Sequence, residues 1–368
     1  MIEIRIRKAL GAFSLDVDLA LPSDGITALF GASGAGKSSI LNAVAGLLRP
    51  DAGRIALGEG VLFDSDARIN MPVQKRHLGV VFQDGRLFPH MTVRQNLLYG
   101  ARSTRTGVPP TLADVVDLLG LSKLLDRRPC DLSGGERQRV AIGRALLMKP
   151  DALLMDEPLA ALDGARKAEV LPMLSELRAL RRIPILYVSH QMDEVVRLAD
   201  TLVLIDGGRI AAMDSVEALT SRLDLRHLTG RHEAGSVLRA TVTGSDTEWG
   251  LTELSVGGAK LFVSTLGLER GTPVRLRIRA RDVAIALTPP EDASFLNMLP
   301  ATVAEIAEAD GASLDVSLAL SDAPNAPRLW ARITRRSADR LGLHLGLPVH
   351  ALIKTVGIDR HTLAGPHK

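Results

Sequence analysis

The string Gly31-Ala32-Ser33-Gly34-Ala35-Gly36-Lys37-Ser38 constrains this chain more than any other feature. It follows the short apolar run 26–30 and opens a helical pattern that continues through Leu47. Glycines at these positions let backbone N–H groups turn toward a phosphate chain. Lys37 adds a point charge for the β- and γ-phosphates, and Ser38 offers a hydroxyl to Mg²⁺. The start of the helix adds roughly half a positive charge. A strand, a glycine loop and a helix in that order predict an α/β fold whose sheet carries the loop at its edge.

The rest of the first half agrees. Residues 80–82, 152–156 and 185–189 read as buried strands, and 134–148, 164–180 and 191–198 as helices. Residues 201–205 and 209–213 form a hairpin around Asp206-Gly207-Gly208. Strand–helix alternation predicts a mostly parallel sheet. Near residues 230–236 the pattern changes. Val274, Leu276 and Ile278 alternate with arginines, and Leu314, Val316, Leu318 and Leu320 with small or acidic residues. Further short strands are expected at 237–243, 261–263, 283–287, 329–334 and 349–356. Such spacing suggests small β-barrels, with the helical pattern largely gone.

Composition narrows the class. A chain of 368 residues has room for two or three domains with their own cores. The balance of 45 Lys+Arg against 42 Asp+Glu is too even to imply a nucleic-acid partner. The single cysteine, Cys130, excludes a disulfide framework and a cysteine zinc site, and it fits a reducing compartment. No apolar run approaches the ~18–20 residues that span a bilayer. The alternation of Ile2, Ile4 and Ile6 with charges makes the start a strand and not a signal peptide.

Two further strings carry chemistry. Ala152-Leu153-Leu154-Met155 is an apolar strand ending in Asp156-Glu157. Asp156 is placed to hold a Mg²⁺ shell, and Glu157 to activate water as a general base. Leu132-Ser133-Gly134-Gly135-Glu136-Arg137-Gln138 opens a helix, so Ser133 and the free N–H groups beside Gly134 and Gly135 form a second phosphate cradle. One chain does not easily wrap both cradles around one γ-phosphate. Two copies packed head to tail do, so a homodimer with nucleotide between the subunits is expected.

Together these strings resemble the ATP-binding cassette (ABC) ATPases over residues 1 to about 230. The resemblance implies ATP and Mg²⁺ as cofactors and the following roles. Gly31, Ala32, Ser33, Gly34, Ala35, Gly36, Lys37, Ser38 and Ser39 cradle the nucleotide. Gln83, after Val80-Val81-Phe82, matches the family's glutamine loop and joins Ser38 and Asp156 around Mg²⁺. Ala161-Leu162-Asp163 matches the loop that crosses the dimer interface. His190, after Tyr187-Val188-Ser189, matches the switch histidine at the γ-phosphate, and Glu157 is the catalytic carboxylate. Phe13 stands where the family often stacks an aromatic on adenine, and equally where a strand residue would face the core.

The tail extends the resemblance. Ser294-Phe295-Leu296-Asn297, Thr334-Arg335-Arg336-Ser337 and Ala351-Leu352-Ile353-Lys354 resemble the molybdate-binding "Mop" barrel, a TOBE-type domain, over about 291–357. A generic barrel of sugar, polyamine, iron or sulfate importers is the alternative. The stretches 22–28 and 81–90 also look like those of molybdate importer ATPases. The expected domains are a cassette at 1–232, a β-rich lead-in at 233–290, the barrel at 291–357 and a tail at 358–368. The implied function is ATP hydrolysis that energises molybdate uptake, with tungstate, sulfate, ferric iron, a polyamine or a sugar as alternatives. A soluble cassette ATPase acting on ribosomes or DNA is disfavoured by the single P-loop and the absence of sustained heptads. Two integral membrane permease copies and a separate molybdate-binding protein are the implied partners. The implied location is the cytoplasmic side of a bacterial inner membrane. Ser294 and Lys354 are possible oxyanion donors, joined by Thr334 and Ser337 if two barrels pair, and Lys354 reads equally as a solvated charge. Leu296 stands where related barrels often carry arginine and offers no guanidinium.

Overall fold

The computed structural model describes residues 1–101, 110–160, 162–180, 183–229, 235–309, 311–321, 323 and 326–355, without the side chains of 176–180. Ala161, the expected joint at 232/233 and the expected tail 358–368 lie outside them. The chain forms two compact units, Met1–Asp214 and Ser215–Lys368. Composition put the change near 232/233, where the helical pattern ends. Chain packing groups the short helices of 216–229 with the second unit.

In the first unit the strands are β1 (Ile2–Leu10), β2 (Phe13–Leu21), β3 (Ile26–Phe30), β4 (Ala52–Leu57), β5 (Gly60–Asp64), β6 (Ile69–Asn70), β7 (Leu78–Val81), β8 (Ala152–Asp156), β9 (Ile185–Val188), β10 (Thr201–Asp206) and β11 (Arg209–Ser215). They make one 11-stranded sheet in the order β6-β5-β4-β1-β2-β11-β10-β3-β9-β8-β7. The block from β10 through β3, β9 and β8 to β7 is parallel. β3 and β9 are buried along their whole length, as a sheet covered on both faces requires. The arm of β1, β2, β4, β5 and β6 is antiparallel, which departs from the mostly parallel sheet expected. In β1 and β2 buried residues alternate with exposed ones over most of their length, so one face of that arm meets solvent.

The helices of this unit are α1 (Lys37–Ala45), α2 (Val93–Gly100), α3 (Leu112–Leu118), α4 (Gly134–Leu147), α5 (Gly164–Leu180) and α6 (Met192–Leu198). α1 stops before Leu47 because Gly46 turns left-handed and returns its N–H to carbonyls of the last turn. The buried Arg76 guanidinium donates to the carbonyls of Ala43 and Val44 and so caps the negative end of α1.

The second unit is all-β apart from short helices. β12 (Gly235–Asp246), β13 (Leu251–Val256), β14 (Ala259–Ser264) and β15 (Pro273–Arg279) form one sheet, ordered β14-β13-β12-β15. β16 (Val283–Ala286), β17 (Asn297–Glu308), β18 (Ser313–Ala319), β19 (Arg328–Thr334) and β20 (Pro348–Ile353) form the other, ordered β16-β20-β17-β18-β19. Both sheets are antiparallel and share one apolar core that includes Leu238, Val256, Leu276, Val303, Leu318 and Ala351. Among the described residues α7 (Val216–Thr220), α8 (Arg226–Thr229) and α9 (Arg335–Leu341) interrupt the pattern. α9 lies where the sequence shows only a link between strands. Thr334 caps its start by accepting the Ser337 N–H at 3.1 Å.

Asn297 holds the two sheets together. It is fully buried, accepts the Phe262 N–H at 2.6 Å, and donates to the Phe262 carbonyl at 2.9 Å and to Thr355 Oγ1 at 3.3 Å. Its side-chain amide thus does the work of a strand backbone. Asn297→Ala should destabilise the second unit by about 2–4 kcal/mol, because it orphans buried backbone groups as well as removing bonds. Both tryptophans, the buried Trp330 and the exposed Trp249, belong to this unit. Urea unfolding followed by tryptophan fluorescence therefore reads this unit alone, and an unchanged midpoint would refute the bridge.

Candidate nucleotide site

The loop after β3 is shaped by two close approaches. Gly36 has φ +102, and a Cβ there would press on Leu15 at 2.9 Å and on the Phe13 ring at 3.1 Å. A Cβ on Gly31 would lie 2.3 Å from the Ile205 carbonyl oxygen of β10. Between them Ala32, Ser33 and Gly34 form an exposed lip, while Ala35 is buried. Lys37 is buried, and its Nζ donates to the carbonyls of Gly31 and Ala32 at 2.8 Å each. The ammonium therefore sits inside the curl of the loop. Burial pulls its pKa down, and the carboxylates of Glu157 and Asp156 push it back. Ser38 Oγ donates to Asp156 Oδ1 at 2.8 Å, and Ser39 is partly buried on the first turn of α1.

Asp156 ends β8, between β7 and β9, so it emerges at the carboxyl edge of the parallel block. Burial raises its pKa, and the hydrogen bond from Ser38 works against that rise. Glu157 follows with φ +44, a left-handed conformation that costs a non-glycine residue roughly 1–2 kcal/mol. Its N–H is held by the Val188 carbonyl at 3.1 Å. This turn carries the carboxylate to His190, whose Nδ1 lies 3.2 Å from Glu157 Oε1. The loop after β3, Ser38, Asp156, Glu157 and His190 are thus one contiguous cluster, linked by direct contacts or shared fields.

The other expected residues sit around this cluster. Gln83 is exposed just past β7, whose Val81 pairs with Met155 next to Asp156. Gln138 of α4 donates to the neighbouring Phe82 carbonyl at 3.4 Å. Ser133 caps α4: its Oγ accepts the Glu136 N–H at 3.3 Å, and Glu136 accepts the Ser133 N–H at 2.6 Å. Ser133, Gly134 and Gly135 make no described hydrogen bond to the loop after β3 within one copy. Asp163 is exposed and caps α5, accepting the Arg166 N–H at 2.9 Å. Phe13 is partly buried, packs on the main core and lies against Gly36 and Gly208. In the second unit Asn297 pairs with Ile353, so Ser294 and Lys354 leave the same end of the β17–β20 pair, both exposed. Thr334 and Ser337 lie by the far end of β17 and bond each other at 2.9 Å. One copy does not gather the four.

A group that the sequence reading missed lies behind His190. Glu194, buried on α6, accepts from Tyr187 Oη at 2.9 Å, Ser189 Oγ at 2.8 Å and Lys167 Nζ at 2.8 Å. Burial and the Glu194 charge hold the Tyr187 phenol well above its usual range. The sequence carries a signal for it: a carboxylate at helical spacing among the buried Met192, Val195, Val196 and Leu198.

Residues 15–160 match the ABC transporter family, and residues 293–358 match the TOBE domain. A molybdenum import ATP-binding protein ModC from Paramagnetospirillum magneticum is 51% identical over 368 residues, covering 99% of each chain. The chain belongs to the ABC transporter ATPases. A second ModC, from Rhodospirillum rubrum, is 49% identical and covers 100% of each chain. Among solved structures, cbiO1 of Clostridium perfringens, part of the ABC transporter complex cbiONQ, is similar at 25% identity with a TM-score of 0.52. The match covers 61% of this chain and 92% of that one. Another ABC transporter cassette gives 27% identity and a TM-score of 0.53, covering 61% of this chain and 96% of the other. As an ABC ATPase the chain binds nucleotide and hydrolyses ATP. Among the described residues no helix is long and apolar enough to cross a membrane.

Proposed function

We propose that this ABC ATPase energises molybdate import. The observation that carries the reading is the full-length identity with proteins named for molybdenum import, through both cassette and tail. In this reading two copies join head to tail, and Ser133, Gly134 and Gly135 of one face the nucleotide held by Gly31–Ser39 of the other. The dimer docks on two permease copies at the cytoplasmic face of the membrane. A separate binding protein delivers the oxyanion.

The residues present suit Mg²⁺. Ser38 Oγ and Asp156 Oδ1, joined by a 2.8 Å hydrogen bond, are hard oxygen donors of the kind Mg²⁺ takes. Ser38, Asp156 and Gln83 would hold it, and it would neutralise charge on the β- and γ-phosphates.

The chain's own residues do the rest. Lys37 compensates the phosphate charge. Glu157 accepts a proton from water as its oxygen attacks the γ-phosphorus, and the bond to the ADP oxygen breaks. His190 orients the Glu157 carboxylate and faces the γ-phosphate. Phe13 presents a ring face to adenine. Exposed Ser294 and Lys354 serve as oxyanion donors at the barrel end, with Thr334 and Ser337 coming from a second copy.

The test is ATPase activity of the complex reconstituted with its permease and binding protein. Molybdate-loaded binding protein should stimulate turnover several-fold, and tungstate, of nearly equal size and charge, should do the same. Equal stimulation by sulfate, a sugar or a polyamine would refute the substrate assignment and leave the ATPase intact.

A further inference from the structure

Both neighbours of His190 are tied to a single buried ion pair. Ser189 Oγ donates to Glu194 Oε2 at 2.8 Å and accepts the Gln191 N–H at 3.0 Å. Lys167 Nζ donates to Glu194 Oε1 at 2.8 Å and to Gln191 Oε1 at 2.6 Å. Tyr187 Oη fills another acceptor position of Glu194 from β9. Glu194 is 3% exposed, and a carboxylate buried that deeply needs the three donors around it, one of them the Lys167 cation. The loop carrying His190 is therefore held from Ser189 on one side and from Gln191 on the other, while its own ring reaches Glu157 at 3.2 Å.

A partly exposed histidine with neither neighbour anchored would sample several directions. Here the side chains on each side, Ser189 Oγ and Gln191 Oε1, are tied to the Glu194–Lys167 pair, the Gln191 N–H is tied to Ser189 Oγ, and the ring is aimed. Lys167 lies in the first turn of α5 and donates its N–H to the Asp163 carbonyl at 2.9 Å, so the same pair also reaches the loop at Leu162-Asp163. We propose that Glu194 and Lys167 are positioning residues for His190, setting the orientation of the His190–Glu157 pair during hydrolysis. The proposal rests on the reading of Glu157 and His190 as the catalytic pair.

The experiment uses the full-length protein. Glu194→Gln and Lys167→Met should each lower kcat about tenfold, with ATP affinity within twofold of the parent, because the loop after β3 is untouched. Lys167→Arg, which keeps the charge, should recover most of what Lys167→Met loses. The imidazole signal of His190, identified among the nine histidines by its loss in His190→Ala, should move in Glu194→Gln while that of His77 stays. Tyr187→Phe removes one donor and little volume. It should lower kcat two- to threefold and decides the matter if Glu194→Gln proves unstable. An unmoved His190 signal, an unchanged kcat, or parallel losses of kcat and ATP affinity would overturn the proposal. A Glu157→Gln protein with normal turnover would instead overturn the catalytic pair on which it rests.

Discussion

Glu157→Gln is expected to bind ATP normally and hydrolyse it about a thousandfold more slowly. Positioned general bases contribute roughly 10²–10⁴-fold, and glutamine at this position accepts no proton from water. The substitution keeps shape. The amide can still reach His190 across the 3.2 Å contact, and the left-handed turn at φ +44 is unchanged. It also removes a negative charge close to Lys37, where the polyphosphate charge would gather. Binding should therefore be retained or tightened while the chemical step fails. An ATP-loaded dimer that cannot hydrolyse should accumulate. Single-turnover phosphate release measures the first effect, and size-exclusion chromatography with ATP the second. Phosphate release within threefold of the parent would remove Glu157 from its role.

Lys37→Ala should act on the other constant and weaken ATP binding about a hundredfold. A charge-assisted hydrogen bond is worth about 1.5–3 kcal/mol, or roughly 10- to 150-fold in affinity. The ammonium is preorganised: two carbonyls of its own loop hold Nζ at 2.8 Å inside the curl. Removing it takes away the cation and the Nζ donor that both carbonyls share. Titration calorimetry with a non-hydrolysed ATP analogue gives the affinity directly. Binding within fivefold of the parent would show that the loop backbone carries the phosphates without Lys37. Glu157 and Lys37 are thus separable, one read in the rate of chemistry and the other in the dissociation constant.

Much of the site is legible in the sequence because its parts are local. The strand β3, the glycine loop and the start of α1 follow one another, so composition and order are enough to place Lys37 and Ser38. The same holds for β8 with its terminal Asp156 and for Ser133 at the head of α4, where a serine, two glycines and a glutamate spell a helix start. His190 is legible from its place after an apolar strand once the other strings are known. The antiparallel arm is harder to read: β4, β5 and β6 are short, and although β4–β5 and β5–β6 pair locally, the arm joins the rest of the sheet only where β4 pairs with β1, some fifty residues earlier in the chain. α9 is hidden because seven residues give too little periodicity to register.

The sequence by itself determined an α/β nucleotide cassette followed by a β-rich unit, and it named the groups that meet phosphate and water. Strings of adjacent residues suffice for that, because loop, cap and strand end are made from neighbours. Tertiary structure alone decided how those groups are held. It put Glu157 in a left-handed turn against Val188, and it buried Glu194 under Tyr187, Ser189 and Lys167 behind His190. It made Asn297 a bridge to Phe262, and it sent Ser294 and Lys354 to one end of β17 with Thr334 near the other. Each of these depends on strand register or on a buried polar group finding partners from other elements. Such pairings are fixed by the cost of leaving a charge or an amide unsatisfied in the core, and that cost exists only once the chain has packed.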